Sequence, residues 1–141
     1  MNTYFVAAAA TAFVVGLVHS VLGEKLIFQR LRQSGGLVPT NGGNVLGERH
    51  VRIIWASWHI VTVFGWCLGA VLLRLALPAA PEISTGFGVQ AIALAALTGA
   101  ALVFFGTRAK HPGWIGLLAI ALCAWLGNIQ IQVAFLTLLS N

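Results

Sequence analysis

His19, His59 and His111 have the widest chemical range of any side chains in this sequence, and each lies inside or at the edge of a long apolar run. Ionisable groups are costly within a bilayer and normally face a partner or a cavity, so their positions need a reason. Imidazole ligates metal ions, serves as an axial haem ligand and titrates near neutrality. Three chemistries follow. A metal ion would use His19, His59 and His111 or a carboxylate. A haem would take His19 and His59 as axial ligands, with arginines on its propionates. A transported ion would pass along the same groups. Glu24, Glu48, His50 and Arg52 flank these histidines and would support a ligand or gate the site. Arg52, Trp55 and His59, at successive spacings of three and four, share one helix face.

A plainer role competes with all three: each histidine hydrogen-bonds a backbone carbonyl on a neighbouring helix and serves only as packing glue. The sequence holds no HExxH and no histidine pair at i, i+4, so no local metal motif decides the matter. Gly42 and Gly47 have the spacing of a phosphate loop, but Glu48 and Arg49 stand where Lys and Ser/Thr are required. Ser20, Ser57 and Ser84 carry no nucleophile motif, and no acidic pair falls in an apolar run, so no catalytic set is expected. Cys67 and Cys123 sit within apolar runs and read as small hydrophobes.

The elements that must position these residues follow from composition. Of the 141 residues, 59% are apolar and 8% charged, against about 25% charged in an ordinary soluble domain. A water-soluble enzyme domain, a disordered tail and a disulfide scaffold are excluded. A spanning helix needs about 20 mostly apolar residues, and four such runs occur, at about 4–23, 53–77, 87–106 and 113–138. The expected fold is all-α, a single transmembrane domain over 1–141 built as an up-and-down four-helix bundle. The first run is too long for a signal-peptide core, and MNTYF lacks a basic lead, so it is expected to remain in the mature protein.

Lys25, Arg30, Arg32, Arg49 and Arg52 fall between the first two runs and Arg108 and Lys110 between the last two, leaving Arg74 alone on the opposite side. The positive-inside rule then puts the 24–52 connection in the cytoplasm and both termini outside it. All four histidines and two of the three acids fall on that cytoplasmic half. Within the connection, EKLIFQRLR alternates basic and apolar residues as a short interfacial helix does. QSGGLVPTNGGNVLGE reads as a flexible loop, and LPAAPEISTG as a short turn between the second and third spans. The formal charge of +5 is a topology signal and an attraction to anionic headgroups, not a nucleic-acid footprint.

In lipid, helices meet through small residues and hydrogen bonds. Gly16, Gly65, Gly69, Gly99 and Gly127 lie on such stripes and are expected to pack the bundle, with Gly65 and Gly69 as a seam for a homo-oligomer or a larger membrane complex. Asn128 and Gln132 share a face of the last span and are expected to bond across to another helix.

HSVLGE at 19–24, the RxxWxxWH pattern from Arg52 to His59, and KHPGW at 110–114 resemble segments of small bacterial inner-membrane proteins with four spans. The resemblance covers most of the chain. It implies an inner-membrane location and that these segments are functional landmarks, and it assigns no role to any of them.

Overall fold

The computed structural model describes residues 1–32, 36–78 and 81–139, without the side chains of 81–84, 134 and 139. The described chain is helical: α1 (Thr3–Leu22), α2 (Glu48–Ala76), α3 (Pro81–Thr107) and α4 (Gly113–Leu139). All four are long and apolar enough to cross a membrane.

Three boundaries differ from expectation. α3 starts at Pro81, inside the stretch read as a turn, because a proline in the first helical turn has no amide hydrogen to lose. α2 starts at Glu48, so Glu48 to Arg52 are helical rather than loop. No separate interfacial helix forms: α1 runs on through a π turn, Gly23–Ile27, and a 3-10 turn, Phe28–Leu31. The chain comes very close to α2 at Gly23, where a Cβ would run into the Trp58 indole nitrogen. Drawn against α2 there, the chain buries Phe28 completely in a cluster with Trp55, Ala56 and Val103.

The glycine-rich stretch folds back instead of hanging free. Thr40 and Asn41 donate their amides to the Leu31 carbonyl at 3.1 and 2.9 Å, Pro39 is fully buried, and Gly43, at φ 66°, turns the chain between Gly42 and Leu46. Residues 33–35 of that stretch lie outside the described residues.

The helices pack in chain order, α1 on α2, α2 on α3 and α3 on α4. Each pair is antiparallel. The start of α1 meets the end of α2, where Asn2 donates its amide to the Ala76 carbonyl, and Gly106 near the end of α3 meets Trp55 near the start of α2. Among the described residues no comparable contact closes α1 against α4.

The glycines divide accordingly. Gly16 lies under Trp66 and Thr62, Gly69 under Ala12 and Phe13, and Gly99 against Leu117, Ile60 and Phe64. Gly65 and Gly127 have no side chain or neighbouring helix within 4 Å of the position a Cβ would take. A stripe at four-residue spacing turns about 40° per step, so Gly69 faces α1 while Gly65 does not, and the two do not form one outward seam. Gln132 is exposed, and Asn128 is buried with no partner for its Oδ1 among the described residues, so the bonds expected from them to another helix are not seen there.

Candidate functional site

Where α1 passes into the π turn, its last inward-facing residues meet the first half of α2. The wider turn brings Glu24 round to face Trp55 and His59, one helical turn apart on the same face. Glu24 Oε1 accepts from Trp55 Nε1 at 2.7 Å and lies 2.9 Å from His59 Nε2. Glu24 Oε2 is paired with the Arg32 guanidinium, and Arg32 is itself fixed by donating Nε–H to the Leu37 carbonyl at 2.7 Å. On the far side of the imidazole, Nδ1 lies 3.0 Å from Ser20 Oγ. Ser20 Oγ lies 2.8 Å from Thr62 Oγ1, which donates to the Gly16 carbonyl at 3.3 Å. The result is a continuous polar file, Arg32, Glu24, His59, Ser20, Thr62, along the α1–α2 seam.

Aromatic rings wall it. Trp55 stands edge-on to His59 with centroids 5.0 Å apart, and Phe28 closes the next side at 6.1 Å. Trp58 donates Nε1–H to the His19 carbonyl at 3.1 Å and stacks on the His19 ring at 4.3 Å. His19 is therefore a neighbour of the file rather than a link in it.

The hydrogen-bond pattern fixes much of the proton distribution. A carboxylate facing an indole N–H and a guanidinium, both pure donors, is the acceptor-only ionised form, which leaves His59 Nε2 as a donor. His59 Nδ1 then faces a hydroxyl that both donates and accepts. With Nδ1 bare, Ser20 donates to it and Thr62 donates to Ser20. With Nδ1 protonated, His59 donates to Ser20, Ser20 to Thr62 and Thr62 to Gly16. The contacts from Glu24 through His59 and Ser20 to Thr62 survive in both states with the hydroxyl hydrogens reversed, and the Thr62 bond to the Gly16 carbonyl is made only when Nδ1 is protonated.

Other expected residues go elsewhere. His111 Nδ1 accepts the Gly113 amide at 3.1 Å and caps the start of α4. Arg52, buried, donates to Glu48 at 2.7 Å and to the Gly106 carbonyl at 3.1 Å, serving one of the terminal carbonyls that α3 leaves without an intrahelical partner. Glu48 also pairs with Arg108 at 3.7 Å, and His50 is exposed. Among the described residues no three His, Cys, Asp or Glu side chains converge as a metal shell. Both His59 nitrogens are engaged by the file, so neither is turned toward a haem iron.

Ser20, His59 and Glu24 are the three residue types of an acyl-transfer triad, a meeting that the sequence did not lead us to expect. Ser20 sits mid-helix, however, where neighbouring backbone N–H groups are spent on the helix's own carbonyls, leaving none for an oxyanion. Ser20, Thr62 and Arg32 are the site residues that sequence reasoning missed, while Trp55 and Trp58 stand out in the sequence beside His59 without a partner. The available signal was the i, i+4 spacing of Ser20 and Glu24 on one face.

Comparison with protein families, with curated proteins and with solved structures finds no match.

Proposed function

We propose that the chain is a multi-pass protein of a bacterial inner membrane, both termini outside the cytoplasm, whose histidine-centred site on the cytoplasmic half carries a transported proton. Four apolar spans and the one-sided distribution of basic residues support the membrane placement. A single observation carries the proton reading: a carboxylate, an imidazole and two hydroxyls in unbroken hydrogen-bond contact. His59 accepts a proton at Nδ1 without losing a partner, and Ser20 and Thr62 pass the change in polarity inward. From Glu24 to Gly16 the file reaches about 12 Å along α1, at 1.5 Å per residue. No convergent ligand set favours a metal or haem in the same way.

The test is proton entry into vesicles holding the purified protein and an internal pH dye, driven by a potassium diffusion potential. Wild type should exceed empty vesicles, and His59→Phe and Glu24→Gln should fall to the empty-vesicle rate. Equal rates for wild type and His59→Phe would overturn the reading.

A second role, as a homo-oligomer or a subunit of a larger membrane complex, is favoured by the open helix order and by Gly65 and Gly127 facing no neighbour. Mass analysis of protein extracted in mild detergent tests it, and Gly65→Leu should disrupt the association.

A further inference from the structure

Where α1 gives way to the π turn, a groove of about 250 Å³ opens against α2, lined by His19, Leu22, Gly23, Leu26, Ile27 and Trp58. Its walls are apolar except for His19. The Nε2 of His19 is shut off from solvent and has no hydrogen-bond partner among the described residues. Buried polar atoms nearly always have a partner, so His19 is an unsatisfied residue behind an otherwise apolar wall. Two cations lie close to the lining residues along the chain. Lys25 lies between the lining residues Gly23 and Leu26, and Arg30 lies three residues beyond Ile27. Both are exposed, and among the described residues neither has a carboxylate within ion-pair distance, whereas Arg32 and Arg52 spend their charge on Glu24 and Glu48.

We propose that this groove binds an anionic phospholipid. One acyl chain lies along Leu22, Leu26 and Ile27, and the phosphate sits near Lys25 and Arg30. Charge complementarity selects the occupant: two unpaired cations favour an acidic headgroup over a zwitterionic one, and apolar walls give a free phosphate nothing to cover them. The inference rests on the membrane placement proposed above and is independent of the proton file. A chain released from membranes by alkaline carbonate would overturn the placement, and an inserted chain without lipid preference would overturn this site alone.

The experiment is native mass spectrometry of the full chain, purified in detergent doped with equal amounts of phosphatidylglycerol and phosphatidylcholine. Wild type should retain phosphatidylglycerol several-fold over phosphatidylcholine. Lys25→Gln with Arg30→Gln should level the two, and both positions are exposed, so the fold is kept. Leu26→Trp, which fills the groove with the charges intact, should reduce retention of both lipids. Inorganic phosphate should displace neither. Equal retention by wild type, an unchanged preference in the double variant, or displacement by phosphate would overturn the site.

Discussion

α1 meets α2 through Ser20, Thr62, His59 and the indole N–H groups of Trp58 and Trp66, the latter donating to the Phe13 carbonyl at 3.1 Å. α3 meets α4 through Gly99 against Leu117 and Phe104 edge-on to Trp114 at 5.2 Å. Both seams join antiparallel helices, and the contacts named for the second are contacts of shape. Hydrogen bonds between helices in lipid contribute only about 0.6 kcal/mol on average, a modest return for placing an imidazole and a carboxylate there. On the proposed function, the polar seam serves chemistry rather than strength. Asn128 makes the same point from the other side: buried on α4, its Oδ1 has no partner among the described residues.

Removing the carboxylate should break the contrast most severely. Glu24→Ala strands the Trp55 indole, the His59 imidazole and the Arg32 guanidinium together, and should cost about 2–3 kcal/mol in a detergent unfolding titration. Gly23→Ala comes next, since its methyl drives into Trp58, and should cost about 1–3 kcal/mol as overpacking. A neutral Gly23→Ala would mean that Trp58 swings freely and that the π turn is not held by it.

Asn128→Leu should be neutral or stabilising by about 1 kcal/mol, because it replaces an unpaired buried carbonyl with an apolar group. A clear loss would reveal a partner for Asn128 and make the α3–α4 seam polar as well. The smallest effect is expected at Gly127→Ala, which meets no side chain or neighbouring helix and should gain about 0.5 kcal/mol from helix propensity. If it destabilised the protein in membranes but not in dilute detergent, the outer face of α4 would be covered by another chain.

The four long apolar helices were legible because apolar runs of this length have few alternatives, and His59 and Glu24 stood out as ionisable groups in or beside those runs. Their pairing was not. It depends on a π turn at Gly23, which turns Glu24 toward α2 beside the Trp58 indole, 35 residues away in sequence. Ser20 escaped because a serine on a small-residue stripe looks like packing until the helix opposite supplies an imidazole. His111 misled for a related reason: as a cap for α4 it is used locally, and its sequence context near Pro112 and Gly113 fits that local role.

The most direct test is which nitrogen of His59 carries hydrogen. Solid-state NMR of protein with 15N-labelled histidine in lipid bilayers reads this from the ring shifts, with His19, His50 and His111 assigned by single substitution. Nε2 should stay protonated throughout, while Nδ1 gains a proton on acidification. In Glu24→Gln the hold on Nε2 should be lost. A neutral ring protonated only at Nδ1, or an Nδ1 that does not respond to acid, would contradict the proton file.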